Sequence, residues 1–120
     1  PVIRSDGTPL RDYIYVEDVA EGYLRLAEKL DDPAVVGQAF TFSHGKPVSV
    51  LEIVDVIRRL LGREDIQPLI RNTAKAEIPE QYLDASKAKR LLTWTPRFGL
   101  EDGLKHTIAW YLDCLRATAG

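Results

Sequence analysis

The chain has 120 residues, the length of one domain, with 45% hydrophobic and 28% charged side chains, the balance of an ordinary globular protein. Sixteen Lys and Arg against eighteen Asp and Glu give a net charge of −2, which leaves no cationic excess for a phosphate backbone and argues against a nucleic-acid partner. Apolar runs extend only a few residues, far short of the ~20 that span a bilayer, and one cysteine (Cys114) with two histidines excludes an internal disulfide and a zinc module.

The N-terminus lacks the charged, apolar and small-residue succession of a signal peptide, so the expected location is cytoplasmic with no membrane partner. The chain contains no methionine and opens on Pro1-Val2-Ile3 as if within a strand. Pro1 therefore fits either a processed start or a cut inside a longer protein. Asp6-Gly7-Thr8-Pro9 is a turn cluster, and Arg11 to Tyr15 alternates as a short extended segment. From Val16 the period becomes helical, with Val19, Ala20, Tyr23, Leu26, Ala27 and Leu30 on one stripe, until Asp31-Asp32-Pro33 ends it.

Ala39 to Ser43 reads as a strand between Gly37 and His44-Gly45-Lys46-Pro47. Ser49-Val50-Leu51-Glu52 is a capping box, because the serine oxygen and the glutamate each satisfy an orphan backbone donor of the other. Val50, Ile53, Val54, Ile57, Leu60 and Leu61 continue as one apolar stripe to Gly62. Ile66 to Ile70 is a second short strand, and Asn72 to Gln81 is a long polar loop of the kind that carries function. A helix is expected from Ser86 to Leu92, capped near Asp84 or Ser86 and stopped at Trp94-Thr95-Pro96. The last runs from Leu100 to Leu115, with Glu101 and Asp102 complementing its dipole. The order is mixed α/β with two or three strands, too few for a self-sufficient parallel sheet, so further strands are expected outside this chain.

Catalytic chemistry finds little support. Cys114 reads as a half-buried structural thiol and His106 as a surface imidazole, while Trp94, Trp110, Phe40 and Phe42 read as core aromatics. The eight glycines form neither G-x-G-x-x-G nor G-x-x-x-x-G-K. Tyr13, Tyr15, Tyr23, Tyr82 and Tyr111 are followed four residues on by Glu17, Val19, Ala27, Ser86 and Leu115, so no Tyr-x-x-x-Lys pair exists. Arg11-Asp12-Tyr13 admits two readings. It is either an Arg–Asp surface pair or a guanidinium fork beside a phenol, suited to a diphosphate.

Arg11-Asp12-Tyr13-Ile14-Tyr15-Val16-Glu17-Asp18 resembles the RDY/F-x-Y-V-x-D segment of nucleoside-diphosphate-sugar epimerases and dehydratases, the extended short-chain dehydrogenase/reductases. Phe40-Thr41-Phe42-Ser43 is similar to their F-N-x-G/S strand, and Asp84-Ala85-Ser86-Lys87-Ala88 through Leu92-Thr93-Trp94-Thr95-Pro96 to D-x-S-K-A…L-G-W-x-P. Leu100-Glu101-Asp102-Gly103-Leu104 with Thr107-Ile108-Ala109-Trp110-Tyr111 is similar to their L-E-E-G-L-x-x-T-I-x-W-Y ending. Glu77-Ile78-Pro79-Glu80-Gln81-Tyr82-Leu83-Asp84 looks most like the CDP-glucose 4,6-dehydratase type.

The resemblance implies an α/β chain that is the C-terminal, substrate-binding portion of a Rossmann-type (extended SDR) fold, with few strands and about four helices. Residues 1–120 would be the substrate-binding domain, with the N-terminal dinucleotide-binding domain absent. NAD or NADP would be bound by that domain in the parent enzyme and not by this chain, which alone would be inert.

The resemblance further implies that Arg11 binds the substrate diphosphate and Tyr13 lines the nucleotide. Lys75 and Glu77 would lie in the loop that sets a second cation on the phosphates and a carboxylate on the ribose or base. Ala74 stands where many relatives have an arginine, so Lys75 or Arg71 would substitute. Thr41 and Thr93 replace the family's Asn and Gly. The implied partners are a nucleoside-diphosphate sugar, the chain's own N-terminal domain and a second copy in a homo-oligomer. A reading from another class is a non-catalytic interaction or scaffold domain that keeps this half-fold.

Overall fold

A computed structural model of the chain describes residues 1–118. Helix α1 (Val16–Ala27) follows two short strands, β1 (Val2–Ile3) and β2 (Leu10–Arg11). Strand β3 (Val48–Ser49) leads directly into α2 (Val50–Leu60), and β4 (Leu69–Ile70) and β5 (Glu80–Gln81) precede α3 (Ser86–Leu92) and α4 (Leu100–Thr118). The strands form two small sheets. β1 pairs with β4 in parallel, whereas β2 lies between antiparallel β3 and parallel β5.

Helix α2 starts where the capping box places it. Ser49 Oγ accepts the Glu52 amide at 3.1 Å, and the Glu52 carboxylate accepts the Ser49 amide at 2.6 Å. That backbone bond, more than the serine hydroxyl, holds the Glu52 carboxyl below its ordinary range. Helix α3 has the expected bounds, and Asp84 takes the amide and hydroxyl of Ser86 ahead of it. Thr93 closes α3 in the left-handed region, at φ 54° and ψ 30°. Glycine adopts this geometry freely, whereas a β-branched residue meets it under strain.

Three sequence expectations are corrected. Ala39 to Ser43 forms no strand, because no other backbone offers it a ladder: Thr41 Oγ1 bonds the Asp84 carbonyl, and Lys87 Nζ bonds that of Ala39. Trp110 is 62% exposed and belongs to no core, unlike Trp94, which is buried with Val35, Ala88 and Leu92. Much of the apolar stripe of α1 also faces outward, with Tyr23 67% exposed and Val16 and Leu30 similarly open, while Leu26 packs against the core.

The inward face of α1 is instead set by Asp18 and Gly22. A Cβ on Gly22 would lie 2.5 Å from the Phe42 ring, so only glycine admits that ring, which in turn meets Trp94 edge-on at 4.9 Å. Asp18 is wholly buried. Its carboxylate accepts the amides of Arg97 at 2.8 Å and Phe98 at 3.2 Å, while its carbonyl accepts the Trp94 indole N–H at 2.9 Å. One residue therefore fastens α1 to the turn joining α3 and α4.

The molecule is a plate of 53 × 41 × 21 Å with a radius of gyration of 17.5 Å, against about 14 Å for a compact domain of this length. Its surface is 8385 Å², where a compact monomer of this mass exposes about 6,500 Å². Large apolar side chains are exposed on it, including Tyr23 and Leu24 of α1 and Trp110, Tyr111 and Leu115 of α4.

Asp18→Ala is expected to destabilise the chain by about 3 kcal/mol, since two backbone amides lose a charged acceptor inside the fold; denaturant titration measures it. Thr93→Gly should act in the opposite direction. Relief of left-handed geometry contributes about 1–2 kcal/mol, and the freer unfolded glycine removes about 0.4–1. A net gain of about 0.5–1 kcal/mol in the same titration is expected.

Candidate functional site

Arg11 ends β2, the middle strand of the three-stranded sheet, opposite Val48 of β3 and Gln81 of β5. A side chain leaving the centre of a sheet has a fixed origin, and here its tip is fixed as well. Nη1 donates to the carbonyls of Leu10 at 2.8 Å and Ile78 at 2.9 Å, and Nη2 donates to Glu77 Oε2 at 2.7 Å. The Arg11 side chain is 24% and the Glu77 side chain 42% exposed, so the pair is partly open to solvent.

Asp12 makes no ion pair with Arg11, whose acidic partner is Glu77. Asp12 Oδ2 accepts the buried Ser43 hydroxyl and the Leu83 amide, the latter at 3.1 Å, and ties β2 to two later segments. Ser43 also accepts the Gly45 amide at 2.8 Å, shaping the turn that carries His44.

Tyr13 lies just beyond β2 on the wall of a cavity of about 290 Å³, with Tyr15, His44, Ile53, Phe98 and Leu104. Burial raises the Tyr13 phenol above its ordinary value, and the Arg11 charge partly opposes the shift. The phenol therefore stays protonated at neutral pH and can donate a hydrogen bond. His44 Nδ1 is buried and has no hydrogen-bond partner among the described residues.

The loop residues divide. Glu77 is brought onto Arg11, as described. Lys75 is exposed, and its side chain makes no hydrogen bond or ion pair among the described residues. Arg71 uses its backbone amide on the Ile3 carbonyl at 2.8 Å, extending the β1–β4 ladder, with its side chain likewise unpaired. Ala76 adopts φ 56°, the left-handed turn that swings Glu77 toward the sheet. Sequence reasoning missed the Ile78 carbonyl and the Asp12–Ser43 link. Neither leaves a residue-type signal, since a carbonyl belongs to every residue and Ser43 read only as a strand end.

Residues 1–38, which contain β2, Arg11 and Asp18, match the NAD dependent epimerase/dehydratase family. The chain bears out its resemblance to that family over this stretch. It is 34% identical over 109 residues to a UDP-glucuronate 4-epimerase of Thermodesulfobacterium geofontis, covering 90% of this chain and 32% of that protein. It is 33% identical over 106 residues to the UDP-glucose 4-epimerase of Bacillus subtilis, covering 88% and 31%. The crystal structure of a UDP-glucose-4-epimerase from Stenotrophomonas maltophila, with bound NAD and formylated UDP-arabinopyranose, superposes with a TM-score of 0.86 at 29% identity, covering 97% of this chain and 36% of that one. That of the UDP-glucose 4-epimerase of Thermotoga maritima, with UDP-glucose, gives 0.79 at 29% identity over 95% and 35%.

The chain thus spans about a third of the length of the relatives it matches. Its α/β architecture is that of the C-terminal portion of a Rossmann-type extended short-chain dehydrogenase/reductase. No helix among the described residues is long and apolar enough to cross a membrane.

Proposed function

We propose that this chain supplies the sugar-nucleotide-binding part of an NAD-dependent epimerase or dehydratase, with Arg11 gripping the diphosphate. One observation carries the reading: two backbone carbonyls clamp Nη1 of Arg11 so that Nη2 presents its N–H to an anion, here the Glu77 carboxylate at 2.7 Å. A carboxylate oxygen at that distance marks where a phosphate oxygen would be received. Relatives with UDP-sugar 4-epimerase activity support a UDP-sugar substrate and 4-epimerisation over the CDP-glucose 4,6-dehydratase type.

In this reading Tyr13 faces the nucleotide with a protonated phenol. Arg71 and Lys75 are the loop cations available to the second phosphate. Nothing in this sequence forms the glycine-rich cradle or the Tyr-x-x-x-Lys pair. Binding of NAD or NADP, and the proton transfer at the sugar, are accordingly assigned to a dinucleotide-binding domain that completes the protein. A nicotinamide bound there would supply the transient oxidation of the sugar. This chain's residues bind and orient the substrate.

The exposed apolar faces of α1 and α4 are the surface proposed for that domain, and in its absence for a second copy of the chain. The excess surface of the plate is of the size that specific interfaces bury.

Arg11→Ala should weaken binding of UDP by about 2 kcal/mol, or roughly thirtyfold, on loss of charge-assisted bonds. Arg11→Lys should recover only part of it, because an ammonium presents no planar fork. Calorimetric titration of the three chains with UDP decides the matter, and equal affinities would leave Arg11 a structural residue. Light scattering over a dilution series should show mass rising with concentration as apolar faces associate. A constant monomer mass would show that these faces find no partner in a second copy.

A further inference from the structure

We infer that Asp12 is a positioning residue for the diphosphate grip: its carboxylate fixes the strand pair from which Arg11 reaches the ligand. The inference rests on the diphosphate reading of Arg11 and adds the neighbour that holds that fork in place.

The register of the sheet shows what the carboxylate replaces. β2 and β5 run parallel, with Leu10 opposite Glu80 and Arg11 opposite Gln81, and the Leu10 amide donates to the Pro79 carbonyl at 2.8 Å. Continued in register, a parallel ladder would bring the Leu83 amide to the Asp12 carbonyl. β5 ends at Gln81, however, and the Leu83 amide donates to Asp12 Oδ2 instead, at 3.1 Å. A side chain thus closes the ladder where the two strands part.

Arg11 and Asp12 therefore hold β5 from both ends. Ahead of the strand, Ile78 gives its carbonyl to Arg11 Nη1, and behind it Leu83 gives its amide to Asp12. Successive side chains on an extended segment leave from opposite faces, so Asp12 anchors the backbone without competing for the ligand. Arg11 keeps Nε and one N–H of Nη2 without a partner among the described residues, and these are the donors left for a phosphate. Release of Leu83 would let β5 drift and move the Ile78 carbonyl, one of the two contacts that aim this fork.

The same Asp12 oxygen takes the hydroxyl of Ser43, which is 3% exposed and itself accepts the Gly45 amide at 2.8 Å. β2, the stretch after β5 and the turn carrying His44 all meet there. Asp12 Oδ1, by contrast, is buried and has no hydrogen-bond partner among the described residues. A buried oxygen without a partner costs stability. Stability alone thus gives no reason for an aspartate here, whereas placement of its neighbour does.

The test titrates the full chain with inorganic pyrophosphate by calorimetry, under conditions where circular dichroism shows each variant folded. Asp12→Ala should bind pyrophosphate about tenfold more weakly. Asp12→Asn, which keeps an oxygen to accept both bonds, should stay within about twofold of the unmodified chain. Ser43→Ala removes one bond and leaves the carboxylate, so a loss of about threefold is expected, and it carries the test should Asp12→Ala not fold. Added to Arg11→Ala, Asp12→Ala should cause no further loss, since a positioning residue acts only through the group it places. If Arg11→Ala weakens pyrophosphate binding while Asp12→Ala and Ser43→Ala leave it unchanged, the positioning role is overturned and the diphosphate reading stands. A loss in Asp12→Asn as large as in Asp12→Ala overturns the role too, as does an undiminished loss on top of Arg11→Ala. Unchanged affinity in Arg11→Ala overturns both.

Discussion

The structure hangs on the buried carboxylate of Asp18. Asp18 receives the amides of Arg97 and Phe98 and, through its carbonyl, the Trp94 indole. A buried charge is tolerated only when hydrogen bonds replace its water, and here backbone donors do so. Because those donors lie in the turn between α3 and α4, the same bonds set where α4 begins. Phe98, fixed there, meets Tyr15 edge-on at 4.8 Å, and Tyr15 packs against Gly103 of α4. From Tyr15 the chain runs back through Tyr13 to Arg11. The anchoring of α1 and the placement of the candidate site are thus parts of one connected arrangement.

Much of this was legible where local chemistry decides the outcome. The capping box fixes the start of α2, and Gly62 follows its end at φ 62°, as a helix stop requires. Arg11 and Glu77 form an ion pair that the sequence did not announce, and the geometry that joins them depends on a left-handed Ala76. Strands of two residues are invisible to periodicity, so β3 and β5 went unseen. Yet they turn Arg11 from a loop residue into the centre of a sheet.

The failures share another cause. Periodicity identifies an apolar face but not what covers it, and Val16 and Tyr23 of the α1 stripe and the Trp110 face of α4 point away from this chain's core. The face that does pack holds an aspartate and a glycine, residue types that a hydrophobic pattern discards. Gly22 is there for the Phe42 ring, and Asp18 for the amides eighty residues further on. Tertiary partners override the helical pattern at both positions.

The pairing of Arg11 with Glu77 also governs what a ligand senses from a distance. Two opposite charges 2.7 Å apart form a dipole, whose field dies away faster than that of a lone cation. With ions shortening the reach of any charge to about 8 Å at physiological strength, little attraction extends beyond the mouth of the site. The chain as a whole carries −2 and offers no compensating pull on an anion. On the proposed diphosphate reading, the ligand arrives by unguided diffusion, without the acceleration that an open cationic cleft provides, and its capture rate varies little with ionic strength. Discrimination then resides in contacts made after arrival, at the fork itself.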